Sequence, residues 1–332
     1  MKQSRTKGVA GLAAGLLAAV LGMPVDAAST MQEEADFPSR PITFVVPRSP
    51  GGGSDTITRL MAPGLEKRLG QSILVENKPD TAAVIGAIDV AKSRADGYRL
   101  YVSDNSFYQN PAVLPKLPYD TIKDFSGVTM LAQGPVVLLV HPSVPASNVQ
   151  ELIALAKEKP GGLTYSSGGI GSSTHLVGVL LNLEAGTNIV HVPYKSSSEA
   201  LNALAGGHVD IQFGGLSSAA QLIASGRVKA LAVTGEQRDP ALPDVPTLRE
   251  SGLKESDVMS VWGIHAPAGT PLAHRQKLRD AIVDALKEPQ IAKRLTDMGY
   301  TMLGNTPQEH QQQTEEMVRL WLDLSKQVKL SD

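Results

Sequence analysis

The stretch ITFVVPRSPGGGSD, residues 42–55, decides the fold. Its first five residues, Ile42–Val46, are mostly apolar and rich in β-branched side chains, which is typical of a buried strand. The prolines and the three glycines that follow predict a loop. After the loop, Thr56–Leu69 is predicted to be helical, because its apolar residues recur at the spacing of one helix face: Ile57, Leu60, Met61, Leu65 and Leu69.

The same unit recurs about 120 residues later. Leu163–Tyr165 is predicted to be a strand, Ser166–Ser172 a loop of serines and glycines, and His175–Leu183 a helix. Strand and helix patterns continue to alternate as far as Lys229–Val233. This alternation predicts an α/β fold, in which mostly parallel sheets are flanked by helices. Two such units far apart in the chain predict two lobes.

Two apolar segments flank the second unit, and each is followed by a turn that contains proline. We interpret these segments, Val136–Val140 and Val261–Ala266, as two crossings between the lobes. Lobe 1 would then be discontinuous, with residues 37–140 plus 260–332, and lobe 2 would take residues 141–259. The helical C-terminal part is expected to pack back on lobe 1.

The N-terminus has the pattern of a secretory signal peptide. Lys2, Arg5 and Lys7 precede an apolar run, Val9–Met23, and small residues up to Ala28 offer a cleavage site. The run is shorter than the roughly 20 residues that a membrane-spanning helix needs. We therefore expect residues 1–28 to be removed and the mature protein to be soluble and periplasmic.

Composition excludes several classes of function. The 332 residues carry a net charge of -2, and we find no Lys/Arg-rich stripe for nucleic acid. The absence of cysteine excludes thiolate catalysis and cysteine metal sites. The seven histidines form no His-x-x-x-His pair, so neither a metal nor a cofactor is expected.

Both Gly/Ser loops precede a helix, where unpaired N–H groups and the helix dipole favour an anion. Ser54 or Asp55 could cap the first helix, and Ser172, Ser173 or Thr174 the second. Either loop alone fits an ordinary βα turn. Their recurrence in an exported two-lobed chain favours a clamp for a carboxylate or a phosphate. His175, in the first turn of the second helix, fits a ligand contact and a structural role equally well.

A serine hydrolase is the enzymatic alternative. The sequence 215–219, GLSSA, follows a predicted strand and approaches the nucleophile elbow, but it lacks the final glycine. Ser217 would be the nucleophile, with Asp244 and either His265 or His274 completing the triad. Nothing else in the sequence favours these residues, so we expect a binding protein and not an enzyme.

These motifs resemble one family, the substrate-binding proteins of tripartite tricarboxylate transporters, also called Bug receptors. The resemblance covers nearly the whole mature chain in order. It is carried by FPSRPI at 37–42, PGGGSD at 50–55, VENKP at 75–79, DGY at 96–98, LPYD at 117–120, SSTHL at 172–176, HVPYK at 191–195, ALPDVPT at 241–247 and APAGTP at 266–271.

The resemblance implies a periplasmic binding protein with two interlobe crossings, which closes over its ligand and delivers it to membrane permease subunits. It also implies that backbone amides and hydroxyls of Ser49–Asp55 and Ser166–Thr174 hold the ligand carboxylate. We expect a monomer. A sensor subunit that presents the bound ligand to a membrane kinase would have the same site, so this alternative stays open.

Three departures from the family pattern suggest the ligand. Arg48 stands where relatives usually have an apolar residue, which favours either a loop arginine in solvent or a partner for a second carboxylate. Phe107 and Tyr108 replace small residues, which favours either surface packing or a wall for an aromatic body. Gly214 removes a polar side chain from the expected cleft. The ligand is therefore expected to be a dicarboxylate, with an aromatic one such as terephthalate or phthalate as the more specific hypothesis.

If Arg48 binds the second carboxylate, its replacement by alanine should weaken dicarboxylates more than monocarboxylates. The complete set of expected ligand contacts is Arg48, Ser49, Gly52, Ser54, Asp55, Asn105, Phe107, Tyr108, Ser166, Ser167, Ser172, Ser173, Thr174, His175, Tyr194 and Gly214.

Overall fold

The computed structural model describes residues 37–114, 116–254, 256 and 258–327. The predicted signal peptide, residues 1–28, lies outside the described residues. Within these ranges, none of the helices combines the length and the apolar composition that crossing a membrane requires. The strands in chain order are β1 (Ile42–Val46), β2 (Ile73–Asn77), β3 (Arg99–Ser103), β4 (Phe125–Gly134), β5 (Val136–Val140), β6 (Thr164–Ser167), β7 (Val190–Pro193), β8 (Ile211–Gly215), β9 (Lys229–Val233), β10 (Ser260–Pro267) and β11 (Thr301–Met302).

Helices separate most of these strands, as the alternating pattern predicts. They are α1 (Gly53–Leu69), α2 (Val84–Ala91), α3 (Asn105–Val113), α4 (Val149–Glu158), α5 (Ser173–Ala185), α6 (Ser197–Ala205), α7 (Leu216–Ala224), α8 (Leu272–Leu286), α9 (Pro289–Asp297) and α10 (Pro307–Gln327).

The strands form two sheets, and each sheet with its helices is one lobe. The first sheet has the order β11-β4-β10-β3-β1-β2, and the second has the order β7-β6-β8-β5-β9. In lobe 1, β1 pairs in parallel with β2 and β3. In lobe 2, β6 pairs in parallel with β7 and β8. The two-lobed α/β fold is therefore confirmed.

The expectation of mostly parallel sheets holds only for these βαβ units. Strand β10 is antiparallel to β3 and β4, and β5 is antiparallel to β8 and β9. Both sheets are mixed, because β5 and β10 are the first strands after the chain changes sheets and they enter from the opposite direction.

The segment Val136–Val140 lies inside the second sheet and is not a crossing. Val136, Leu138 and Val140 belong to one apolar cluster, and Val137 and Leu139 belong to another. A strand covered on both faces has a continuous apolar sequence, which explains why the run was misinterpreted. Val261–Ala266 likewise lies within β10 of the first sheet.

The chain instead leaves the first sheet at Pro135 and returns between β9 and Ser260. The C-terminal helices then pack on lobe 1, where α8 contacts α1 and α10 contacts α3 and β4. Lobe 1 is thus built from the two ends of the described chain. Strand β5 belongs to lobe 2, so the predicted end of the first segment of lobe 1 at residue 140 is corrected. The other predicted limits of the lobes stay a prediction.

Candidate functional site

A cavity of about 70 Å³ lies between the lobes, at the carboxyl ends of strands in both sheets. Five helices contribute residues from their N-terminal ends, namely α1 and α3 of lobe 1 and α5, α6 and α7 of lobe 2. Clefts at this edge of α/β sheets are common ligand sites. The lining residues are Arg48, Gly51, Gly52, Gly53, Ser54, Thr56, Asp104, Asn105, Gly168, Ser172, Ser173, Thr174, Ser197, Ser198, Gly215, Ser218, Ser260, Trp262 and Tyr300.

The five helix ends differ in how they are capped. Asp104, Ser172 and Ser196 accept hydrogen bonds from N–H groups in the first turns of α3, α5 and α6. The N-caps of α1 and α7 are Gly52 and Gly215, and neither helix has a side-chain cap. The first-turn N–H groups of α1 and α7 are therefore the ones available to an external acceptor.

Arg48 lines the cavity, but its guanidinium is already paired within the protein. Its Nε donates to Asp104 Oδ2 at 2.7 Å, and its Nη1 donates to the Gly168 carbonyl of lobe 2 at 2.8 Å. Nη2 donates to Ser106 Oγ, and Nη1 also contacts the Thr81 carbonyl at 3.3 Å. Burial opposes the charge, but the attraction of Asp104 outweighs burial and raises the pKa of Arg48.

Arg48 and Asp104 are the only charged side chains that line the cavity within the described ranges, and they neutralise each other. The proposed role of Arg48 as the cationic partner of a second carboxylate is thus unsupported by its contacts. The sequence alone could not reveal this, since Asp104 lies 56 residues away in the chain.

Other predicted residues of the first loop divide into two groups. Gly52 and Ser54 line the cavity, whereas Ser49 and Asp55 are absent from its lining. Ser49 Oγ donates to Glu199 Oε1 of lobe 2 at 2.8 Å. Burial opposes ionisation of Asp55, but hydrogen bonds from Arg59, the Gly51 N–H and Asn77 outweigh it and lower its pKa. Asp55 therefore holds the loop in shape.

The second Gly/Ser loop is largely bonded to itself. Ser172 Oγ donates to the Gly169 carbonyl at 2.6 Å, and Thr174 Oγ1 accepts from the Gly168 N–H at 2.9 Å. Ser173 Oγ lies 2.7 Å from Ser260 Oγ of lobe 1. These three side chains, Ser172, Ser173 and Thr174, line the cavity.

Ser166, Ser167 and His175 are buried behind that loop and do not line the cavity. Ser167 Oγ lies 2.7 Å from His191 Nε2, and the ring of His175 stacks on His191. Ser166 Oγ donates to backbone carbonyls of α6 and β8, and His175 Nδ1 accepts from the Gly171 N–H at 3.2 Å. These side chains therefore support the loop from behind.

Phe107 and Tyr108 do not face the cleft, so the predicted aromatic wall is wrong at these positions. Both are fully buried in the core of lobe 1. Phe107 lies 4.9 Å from Phe125 between ring centroids, and Tyr108 Oη lies 2.9 Å from Ser103 Oγ. They are the third and fourth residues of α3, whose first residue, Asn105, does reach the cavity.

Asn105 also holds the returning chain, since its side chain donates to the Met259 carbonyl and accepts from the Val261 N–H. Tyr194 and Gly214 are absent from the cavity lining, although the neighbouring Gly215 is present.

Sequence reasoning missed the aromatic residues that do line the cavity. Trp262 and Tyr300 lie 4.5 Å apart between ring centroids. They come from β10 and from the segment after α9, which no local motif connects. It also missed Ser197, Ser198 and Ser218 at the starts of α6 and α7. The signal for these three was present, because each helix follows a β-strand that ends at the same edge of the sheet.

Hydrogen bonds join the lobes around the cavity. Besides the contacts of Arg48, Ser49 and Ser173, Ser198 Oγ donates to the Gly51 carbonyl at 2.7 Å, and Ser106 Oγ contacts the Ile170 carbonyl at 3.2 Å. The structure therefore has the lobes closed on each other. Within the described ranges, no group of three or more acidic or histidine side chains could hold a metal ion.

The fold and the cavity define a two-lobed binding protein whose cleft suits an anion. The sequence profile of the family described as "Tripartite tricarboxylate transporter family receptor" matches residues 57–330. The chain belongs to this family, and the resemblance drawn from its motifs is confirmed.

Two relatives illustrate the relationship. The chain is 34% identical to the UPF0065 protein in the tcbD-tcbE intergenic region of Pseudomonas sp. (strain P51), over 93% of this chain and 92% of the relative. It is 32% identical to the protein BugT of Bordetella pertussis (strain Tohama I), over 86% of this chain and 88% of that protein.

Two solved structures also match. MatC from Rhodopseudomonas palustris with bound malate is 33% identical, with a TM-score of 0.83 over 87% of this chain and 100% of that chain. A second R. palustris protein, with adipate, is 32% identical, with a TM-score of 0.83 over 87% of this chain and 97% of that chain.

The family and these neighbours are receptors, so the chain is a receptor and not an enzyme. The side chain of Ser217, the nucleophile of the hydrolase alternative, lies outside the described part of the structure. His265 is buried in lobe 1 beside Thr314, and His274 Nδ1 lies 3.0 Å from the Asp96 carbonyl, so both rings have structural surroundings.

Proposed function

We propose that this chain captures a small dicarboxylate between its lobes in the periplasm and delivers it to the membrane subunits of a tripartite tricarboxylate transporter. One observation carries the proposal. Helix α1 of lobe 1 and helix α7 of lobe 2 present glycine-capped N-termini to the same cavity. Each end can receive one carboxylate, so a ligand with two carboxylates links the lobes.

The charge balance of the cavity supports a dianion. Each helix N-terminus is equivalent to roughly half a positive charge, and several such ends converge here. Because Arg48 is neutralised by Asp104, the ligand charge would be met by helix ends, backbone N–H groups and hydroxyls. Such donors are fixed in place by the fold, so little reorganisation accompanies binding.

Two similar structures support an aliphatic ligand in the size range of malate and adipate. The aromatic hypothesis depended on Phe107 and Tyr108, which lie in the core. Malate and adipate are the ligands in two structures to which the chain is similar. Terephthalate and phthalate remain the aromatic arm of the ligand test.

Export and closure complete the proposed cycle. The signal-peptide pattern of residues 1–28 would deliver the chain to the periplasm. A ligand that contacts α1 and α7 together binds the closed form better than an open form, so it shifts the population towards closure. The transporter subunits would then recognise the closed form.

We expect malate, succinate or adipate to raise the melting temperature by about 5 °C or more, at a concentration on the order of 100 times the Kd. Differential scanning fluorimetry of the mature protein measures this shift, and calorimetric titration measures the Kd. Acetate and propionate serve as controls, because a single carboxylate cannot link both helix ends. A protein that responds to no dicarboxylate, aliphatic or aromatic, would contradict the proposal.

Replacing Gly52 or Gly215 with aspartate is expected to weaken dicarboxylate binding by about 10- to 100-fold. Both positions have extended backbone that any residue can adopt, and an aspartate there would cap its own helix and occupy the place of the ligand. Because the new cap stabilises the helix, the melting temperature without ligand should not fall. Calorimetric titration measures the loss.

Asn148→Asp is the matched control, since it also places aspartate at an N-cap, on helix α4, away from the cavity lining. Its affinity should equal that of the original protein. If Gly52→Asp and Gly215→Asp both retain full affinity, the two helix ends are not the carboxylate sites.

Delivery is tested by uptake of a radiolabelled dicarboxylate into membrane vesicles from cells that produce this protein. Uptake that requires the added receptor supports transport. Binding without any stimulation of uptake would instead favour the sensor alternative.

A further inference from the structure

We propose that Trp262 is a ligand-contacting, specificity-determining residue, whose indole N–H donates to the carboxylate held at the N-terminus of α1. This inference rests on the proposed binding of a dicarboxylate and adds a side chain that no motif indicated. Trp262 lines the cavity, and only 7% of its surface is exposed. Among the described residues, none accepts a hydrogen bond from its indole nitrogen.

The indole is placed directly against the start of α1. A Cβ at Gly53 would lie 2.6 Å from Trp262 Cζ2 and 3.3 Å from Nε1. Gly53 is the first residue of α1, so the edge of the indole that carries the N–H lies beside the N-terminus that has no side-chain cap. An indole N–H can only donate. The same point in the cavity thus offers helix N–H groups and one side-chain donor to an anion.

The indole is also held rigidly. Tyr300 packs on it with ring centroids 4.5 Å apart, and Tyr300 in turn fills the space beside Gly134, where a Cβ would lie 2.6 Å from its ring. Gly134 immediately precedes the crossing at Pro135. Two residues before Trp262, Ser260 contacts Ser173 of lobe 2. Trp262 therefore lies beside both crossings, where a rigid donor is positioned before the ligand binds.

Because of the indole ring, the lining of this cavity is not purely polar. Its face offers an apolar surface to the carbon chain between two carboxylates, while the N–H fixes one end. A ligand that lacks a carboxylate at the α1 end would leave the N–H unpaired in a closed site, which is unfavourable. Trp262 therefore favours ligands with an acceptor at that end.

Trp262→Phe tests the proposal, because phenylalanine keeps a ring between Gly53 and Tyr300 but removes the donor. We expect the Kd for succinate or malate to rise by about 10- to 100-fold, the range for one hydrogen bond to a charged group. Trp321→Phe is the matched control. Trp321 is buried in the core of lobe 1 and is the only other tryptophan of the chain, so its removal should leave the Kd unchanged.

A spectroscopic measurement separates direct contact from a structural role. In ¹H–¹⁵N spectra the chain has two indole N–H signals, and the one that remains in Trp321→Phe belongs to Trp262. Saturating succinate or malate should move this signal downfield as the hydrogen bond to carboxylate forms. The fluorescence of Trp321→Phe, which retains Trp262 alone, should change and saturate at the same Kd.

The outcomes distinguish this inference from the proposed function. A protein that binds dicarboxylates while Trp262→Phe retains its Kd and the indole signal does not move overturns the role of Trp262 and leaves the receptor function intact. A protein that binds no dicarboxylate overturns the proposed function itself. If Trp262→Phe fails to fold, the indole signal and the fluorescence of Trp321→Phe still decide the question.

Discussion

Arg48→Met should lower the free energy of unfolding by about 3–5 kcal/mol, which is the range for breaking one partner of a buried ion pair. The buried Asp104 carboxylate would lose the Nε donor 2.7 Å away, and the Gly168 carbonyl would lose its donor from the other lobe. Urea unfolding followed by circular dichroism, without ligand, measures the change.

The double variant Arg48→Met with Asp104→Asn should recover part of this loss. Asparagine carries no charge to be left unpaired, and it can still cap α3 by accepting from the Ser106 N–H. Arg59→Met is the matched control, because Arg59 pairs with Asp55 but is half exposed, and exposed pairs contribute about 1 kcal/mol or less. A change below 1 kcal/mol in Arg48→Met would show that the buried pair contributes little.

The structure also changes the expected contribution of Arg48 to the preference for dicarboxylates over monocarboxylates. From the sequence alone, Arg48→Ala is expected to weaken dicarboxylates more than monocarboxylates. Asp104, Ser106 and Gly168 already engage the guanidinium. Its charge is therefore compensated within the protein and does not distinguish dicarboxylates from monocarboxylates. We now expect equal fold losses for the two ligand classes, through weaker closure of the lobes.

Acid should destabilise the protein steeply, because two neutral histidines are buried together in lobe 1. Burial lowers the pKa of His310 to about 3, and burial and the neighbouring His310 lower the pKa of His265 well below its ordinary value. Their rings lie 4.4 Å apart beside Thr314 and Tyr108, and neither has a carboxylate partner in the part of the chain that the structure describes.

The sign follows from proton uptake. Above pH 6.5 both histidines are neutral in the folded and the unfolded protein, so their contribution does not change with pH. Below pH 6.5 the unfolded chain takes up two protons that the folded protein does not. Stability should therefore fall by about 2.7 kcal/mol per pH unit, in addition to other groups, until the pH approaches the folded pKa of about 3 for His310.

Urea unfolding at several pH values between 7.5 and 4.5 measures this slope. His310→Gln should reduce it by about 1.4 kcal/mol per pH unit, since one of the two sites is removed. His208→Gln, at an exposed position, should leave the slope unchanged. If His310→Gln has the same slope as the original protein, the buried pair is not the acid-sensitive element.

Much of the fold was predictable because it depends on local patterns. The apolar run of β1, the Gly/Ser loop and the periodic α1 lie together in one short stretch, and so do β6 and α5. Strand β5 could not be recognised from the sequence, since five consecutive apolar residues fit a crossing between lobes as well as a strand buried on both faces. Only the neighbouring strands β8 and β9 settle which it is.

The candidate site was predictable only in part, for the same reason. Gly52, Ser54 and Ser172–Thr174 belong to recognisable loops, and they line the cavity. Phe107 and Tyr108 were unusual in sequence, yet an aromatic pair on a helix is as suitable for a core as for a binding site. Trp262 and Tyr300 are far apart in the chain, so no spacing could pair them.

By itself, the sequence determined the family, the alternation of strands and helices, and the two loops at helix N-termini. Each of these features depends on residues that are close together in the chain. Only the tertiary structure decided which groups are free to bind. Asp104 neutralises Arg48, Ser172 caps α5, and Gly52 and Gly215 leave α1 and α7 open to the cavity. Whether a donor is already satisfied depends on partners brought together by folding, and these partners lie far away along the chain.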